Sequence, residues 1–311
     1  MGALLITNIK QLVNIREQST LLRGAELARL PCIDNAYLIV EKDTIADFGT
    51  MDNAPTGRFP ALHTFDAAGA TVLPAWCDSH THLVFAASRE EEFVYKIKGM
   101  SYADIAAKGG GILNSARKLN NASEEELFNQ AWKRLEELSL LGTGAIEIKS
   151  GYGLTAEGEL KMLRVIKKLK ERSALSIKAT FLGAHTYPQE YKDNHPGYID
   201  RIINDMLPVI AQEKLADYID VFCEDGFFSA AETELICRAG MAHGLKPKIH
   251  ANQLHLSGGT QVGVKLGAVS VDHLETMDEA AIQSLAASHT IGTLLPAAAF
   301  SCGCPFSRPA L

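Results

Sequence analysis

Residues 77–83 read Cys77-Asp78-Ser79-His80-Thr81-His82-Leu83, directly after the apolar run "ATVLPAW" at 70–76. Side chains alternate faces along a strand, so two imidazoles one residue apart point the same way wherever extended backbone continues. Two neutral imidazoles converging on one point make half of a metal site. An isolated H-x-H is equally compatible with two solvated loop histidines, so the rest of the chain has to decide.

Working outward, strands and helices alternate from residue 71 onward. Apolar runs fall at 71–77, 144–149, 175–182, 218–223, 248–251, 268–271 and 290–295. Amphipathic helices separate them. Ser123 and Glu126 have capping-box spacing, with Leu127, Ala131, Leu135 and Leu138 on one face and a stop at Gly142. Thr155 opens a second helix, with Met162, Val165, Ile166 and Leu169 on its buried side. "AAETELICRAGMAHG" at 230–244 is a third, ended by Gly244. Alternating β and α units call for a parallel sheet covered by helices. No Gly-rich phosphate turn follows the first strand, so a (β/α)8 TIM-type barrel is expected over a dinucleotide fold, with about seven strands present. Residues 1–70 lack helical periodicity; "LLITNIKQLVNI" and "AYLIVEKDTIADFG" read as short strands of a small N-terminal β-sandwich domain. The barrel then occupies 71–311.

Polar residues follow the strands in a repeated pattern. In order they are His80 and His82; Glu147, Lys149 and Tyr152; His185; Glu224 and Asp225; His250 and Gln253; Asp272 and His273. The C-terminal ends of parallel barrel strands open onto one mouth, where catalytic groups collect. His250 sits in the alternating "KPKIHAN" and faces inward by the same period, which supplies a third imidazole for the first two. His185 and His273 are candidates for contacts around the ligands or the substrate. Glu224 and Asp225 read as groups that orient neighbours or cap a loop, and Lys149 as a buried cation paired with Glu147. Arg89, in "ASREEEF", either forks onto a substrate carboxylate or pairs with Glu90 to Glu92 on the surface. His63, His195, His243, His255 and His289 fall outside the pattern. Three histidines with room for water suit hydrolysis by one divalent cation.

Composition removes other classes. The chain has 311 residues, 47% of them hydrophobic and 22% charged, and a formal net charge of −7 with no basic block. That argues against a nucleic-acid footprint. No apolar run reaches the roughly 18 residues of a membrane helix. "MGALLITNIK" has no basic region before its apolar patch, so no secretory signal is expected. The six cysteines are scattered, which favours reduced thiols and a cytoplasmic location. Cys302 and Cys304 form a C-x-C without a second pair, weak as a metal motif.

The segments "VLPAWCDSHTHLVFAASREEEF", "AAKGGGILNSA", "IEIKSGYGL", "FLGAHTYPQEY", "KIHANQ" and "VSVDHLE", in that order, closely resemble the imidazolonepropionase family of the amidohydrolase superfamily. "SREEEF", "KGGGI" and "SGYGLT" are far more specific than the H-x-H of the whole superfamily. The resemblance implies hydrolysis of 4-imidazolone-5-propanoate to N-formimidoyl-L-glutamate in histidine degradation. It also implies one zinc or iron ion, a barrel beside a small β-sandwich, and a cytoplasmic homodimer. Residue by residue, His80, His82 and His250 match metal ligands, and Arg89 matches the group that holds the propanoate. Tyr152 and His185 match substrate contacts, with His185 polarising the ring carbonyl. His273 matches the general base, helped by Asp272. Gln253 stands where members can carry Glu beside the ring; it can hydrogen-bond but cannot shuttle a proton. The family's aspartate ligand follows an eighth strand that would lie beyond Leu311, and "SCGCPFSRPAL" fits the pattern poorly. An incomplete barrel with weak or no activity of its own is therefore expected. The rival readings are another amidohydrolase, such as a heterocycle deaminase, and an inactive metal-binding fragment. Arg89 separates the deaminase, because a neutral base has no carboxylate to hold.

Overall fold

The structure, a computed structural model, describes residues 3–18, 20–55, 63–100 and 111–302. Cys304 and most of "SCGCPFSRPAL" lie outside the described residues, as does Lys108 of "KGGGI". The chain divides into two compact units, Met1–Ala75 and Trp76–Ala310.

The first unit is a five-stranded sheet. Strands β1 (Ala3–Val13), β2 (Cys32–Glu41) and β3 (Thr44–Thr50) form an antiparallel meander, and β4 (His63–Asp66) and β5 (Thr71–Val72) run parallel to β1. Lys42 takes φ 58° in the turn between β2 and β3, within the Glu41-Lys42-Asp43 break. Both sheet faces are apolar. Ala3, Leu5, Tyr37 and Ile39 cluster on one side, and Ile9, Leu12 and Ala36 on the other. The irregular pairing between Ile6 and Ile9, with Asn8 at φ 52°, shifts the strand's register within β1.

The expected strand at 71–77 is two strands. Thr71–Val72 pairs with β1, whereas β6 (Trp76–Thr81) begins the sheet of the second unit. Pro74 stands between them, and proline cannot donate to a central ladder. The remaining expected runs are observed as β7 (Thr143–Lys149), β8 (Ser176–Ala184), β9 (Tyr218–Cys223), β10 (Lys246–Ala251), β11 (Ser270–His273) and β12 (Ile291–Leu294). β11 starts later than the expected 268–271 and carries Asp272 and His273 on the strand itself. All seven strands are parallel and pair in chain order from β6 to β12. This is a nearly closed barrel of the TIM type. Among the described residues, no helix is long and apolar enough to cross a membrane.

Each strand sorts its side chains by parity. Ile146, Ile148, Ile219, Val221, Ile249 and Val271 belong to the buried cluster shared with Met162, Val165, Ile166 and Leu169 of helix Ala156–Arg172. Gly240 of helix Ala230–Ala242 lets that helix lie on β9, since a Cβ there would meet Ile219 Cδ1 at 2.5 Å. The residues between them in sequence, Glu147, Lys149, Asp220, Lys248, His250 and Asp272, are buried too, and they are polar. A barrel interior is ordinarily filled by branched aliphatics. This one holds charges, which must be paired to be tolerated.

Candidate active site

His80 lies on β6 and His82 one residue past its end, and the two rings converge although the ladder register shifts between Asp78 and Thr81. The His80 and His82 rings lie 5.6 Å apart, and His250 from β10 is 4.5 Å from His80 and 5.6 Å from His82, between ring centroids. One ring nitrogen from each of His80, His82 and His250 lies within 4.8 Å of the other two. His82 Nδ1 and His250 Nε2 are buried with no hydrogen-bond partner. Buried polar atoms left unpaired are costly, and these two, grouped with a ring nitrogen of His80, fit a divalent cation. Burial pushes all three imidazoles towards the neutral form, as do the neighbouring imidazoles and the Lys149 ammonium. Neutral imidazole is the ligating species.

Carboxylates stand behind two of these rings. His80 Nδ1 is 2.7 Å from Asp272 Oδ2, and His250 Nδ1 is 2.9 Å from Asp220 Oδ2. Asp272 was expected to help His273. It is directed to His80 instead, and His273 Nδ1 meets Glu275 Oε1 at 3.4 Å. The cause is backbone conformation. His273 ends β11 at φ 86° and Leu274 follows at φ 61°, so the chain twists out of the sheet and carries the His273 ring to 5.1 Å from His250. A histidine in that region is strained and needs surrounding contacts to persist.

A cavity of about 230 Å³ opens over the imidazoles, lined by His82, Arg89, Lys96, Ile112, Tyr152, His185, Phe222, Phe227, His250, Gln253, Leu254 and His273. Arg89, Tyr152, His185, Gln253 and His273 are thus brought to the same cavity. Of the neighbouring glutamates, Glu90 and Glu92 have partners other than Arg89 among the described residues. Glu90 accepts from Ser88, and Glu92 accepts from Gly111 N at 2.8 Å. Arg89 donates through Nε to Ser115 Oγ at 2.9 Å and lies 5.3 Å from the Tyr152 ring centre, while its Nη2 is buried without a partner.

His185 Nδ1 lies 2.9 Å from the Gly151 carbonyl oxygen. A carbonyl only accepts, so Nδ1 carries the proton and Nε2 is left as an acceptor. Burial, with His250 next in weight, holds its pKa down at about 3. The loop bearing Tyr152 is pinned by Glu159, whose carboxylate accepts from Gly151 N, Gly153 N and Leu154 N at 2.9, 2.7 and 2.9 Å.

Asp220, Lys248, Ser115 and Glu159 escaped the sequence reading. Asp220 had a signal: a carboxylate inside the apolar run "YIDVFC" must find a buried partner. Ser115 and Glu159 had none, because helix-surface Ser and Glu are ordinary. Glu224, Asp225 and His255 form a second close group. There the Glu224 carboxylate is occupied by Asp225 N, Leu254 N and His255 Nδ1 at 2.9, 2.8 and 3.0 Å, a loop cap as the sequence suggests.

No family model matches the chain. Among curated proteins it is 57% identical over 304 residues to the imidazolonepropionase of Flavobacterium johnsoniae, a match covering 97% of this chain and 74% of that relative. Among solved structures, 5-methylcytosine deaminase from Klebsiella pneumoniae, liganded with phosphonocytosine, superposes with a TM-score of 0.62 at 16% identity, over 93% of this chain and 65% of that one. A variant of atrazine chlorohydrolase TrzN from Arthrobacter aurescens, complexed with zinc and atraton, gives 0.61 at 14% identity, over 96% of this chain and 67% of that one. These two share the fold. The relative at 57% identity decides the family, and the chain belongs to the imidazolonepropionases.

Proposed function

We propose that the protein hydrolyses the ring amide of 4-imidazolone-5-propanoate to N-formimidoyl-L-glutamate, a step of histidine degradation. The observation that carries this reading is one cavity lined by His82 and His250 of the imidazole triad and by Arg89, whose guanidinium keeps a buried nitrogen with no partner. A substrate with a hydrolysable ring and a carboxylate tail satisfies both. A heterocyclic base satisfies only the first.

His80, His82 and His250 would hold one divalent ion, zinc or iron, which when bound polarises a carbonyl and acidifies water. The chain's own residues supply the rest. Arg89, with Nε already committed to Ser115, presents Nη2 to the propanoate and converts binding into orientation. Tyr152 and Gln253 flank the ring. His185 Nε2, an acceptor in its neutral tautomer, suits a ring N–H better than the carbonyl oxygen. His273 takes the proton of the attacking water and returns it to the leaving nitrogen. Asp272 orients His80. Cys32, Cys77, Cys223 and Cys237 are free thiols, which suits a reducing cytoplasm.

The test is to incubate the zinc- or iron-loaded protein with 4-imidazolone-5-propanoate, guanine and cytosine separately. Formation of N-formimidoyl-L-glutamate, abolished by a chelator, supports the proposal. Turnover of a base alone overturns it.

A further inference from the structure

Lys149 is fully buried beneath the imidazoles, and the mechanism above gives it no task. Its Nζ donates to Glu147 Oε1 and Asp220 Oδ2, both at 2.8 Å, and stands 3.7 Å from Asp272 Oδ2. Lys248 Nζ lies 3.4 Å from the same Asp272 oxygen and donates to the Ser79 carbonyl at 2.9 Å. Two ammonium groups thus face three carboxylates in a dry interior. Such a cluster is weak evidence of a stabilising role, since a buried ion cluster replaced by well-packed apolar groups is often as stable or more so.

The identity of the shared atoms is the informative feature. Asp220 Oδ2 contacts both Lys149 Nζ and His250 Nδ1. Asp272 Oδ2 contacts His80 Nδ1 and lies beside both ammonium groups. The oxygens beside the two rings are therefore oxygens beside Lys149, which hydrogen-bonds Asp220 Oδ2 and forms a longer ion pair with Asp272 Oδ2. A histidine ligating through Nε2 depends on the acceptor at Nδ1 for its tautomer and aim.

Resting on the reading of His80, His82 and His250 as metal ligands, we propose that Lys149 is a positioning residue that sets the tautomer and orientation of His80 and His250 through Asp272 and Asp220. One ammonium on β7 thereby ties ligands from β6 and β10 into a single preorganised set. It contacts neither the substrate nor the ion.

The test uses zinc affinity by chelator competition and the visible spectrum of the cobalt-substituted protein, on wild type and Lys149→Met. Loss of an outer partner of a metal ligand typically weakens affinity about 10–100-fold, and that loss with a changed cobalt spectrum is the expected result. An affinity within about twofold of wild type and an unchanged spectrum overturn the proposal, whatever the melting temperature does. A wild-type protein that binds no zinc fails the ligand reading itself, which is a separate outcome. If Lys149→Met does not fold, the charge-balanced Lys149→Met/Asp220→Asn is compared with Asp220→Asn. A further loss of about fivefold or more, transmitted through Asp272, supports the proposal, and equal affinities overturn it.

Discussion

Arg89 is the residue on which substrate choice turns. Its guanidinium is held at one corner by Ser115 and has a buried nitrogen to spare. Replacing Arg89 by Ala removes a charged hydrogen-bond donor worth about 1.5–3 kcal/mol, so KM for 4-imidazolone-5-propanoate is expected to rise roughly 10–100-fold with a smaller change in kcat. Lysine at this position should rescue little, because an ammonium cannot keep the Ser115 bond and fork onto a carboxylate together. Steady-state kinetics of the two variants check this; an unchanged KM in Arg89→Ala removes the carboxylate assignment. At this scale the imidazoles were legible, because period two on β6 and β10 forces them to one side. The residues behind them were not. A lone Asp220 in an apolar run announces that it has a partner without saying which, and His273 leaves the strand's alternation at a left-handed residue that no spacing rule foretells.

Among elements, the start of helix Ala156–Arg172 does more than cap itself. Thr155 accepts from Gly158 N at 3.0 Å, while Glu159, one turn in, gathers three backbone N–H groups of the loop that carries Tyr152. Gly153 allows this closure, since a Cβ there would stand 2.3 Å from Glu159 N. Glu159→Gln puts an amide NH2 where a carboxylate oxygen accepted, leaving buried N–H groups unsatisfied. A loss of about 2–3 kcal/mol in denaturant unfolding is expected, with a raised KM from the loosened Tyr152 loop. Stability within about 0.5 kcal/mol of wild type shows the loop to be held otherwise. The helices themselves were readable from caps and apolar stripes, as at Ser123. The first barrel strand was misplaced because "ATVLPAW" is uniformly apolar. Hydrophobicity alone cannot show that Thr71–Val72 and Trp76–Thr81 serve different sheets; Pro74 was the only local mark of the break.

At the scale of the whole molecule, neutral imidazoles inside the fold tie its stability to pH. Burial lowers the pKa of His80, His82, His185 and His250, to about 3 for His185. In the unfolded chain each returns to about 6.5. Below that value the unfolded state binds protons that the native state refuses, so native stability is intact above about pH 6.5 and falls as the pH drops towards the folded values. Each histidine held neutral contributes at most about 1.4 kcal/mol per pH unit in that window. Asp220 and Asp272, whose pKa values His250 and the lysines pull down against burial, add a second loss only below the ordinary carboxylate range. Domains of this kind have about 5–15 kcal/mol to lose. Metal-stripped protein is therefore expected to lose stability steadily as the pH falls below about 6.5. Urea midpoints from pH 8 to about 4.5, with and without zinc, measure this. Zinc should raise the whole curve by binding the native state alone, and a flat midpoint without metal shows that the imidazoles are not held neutral.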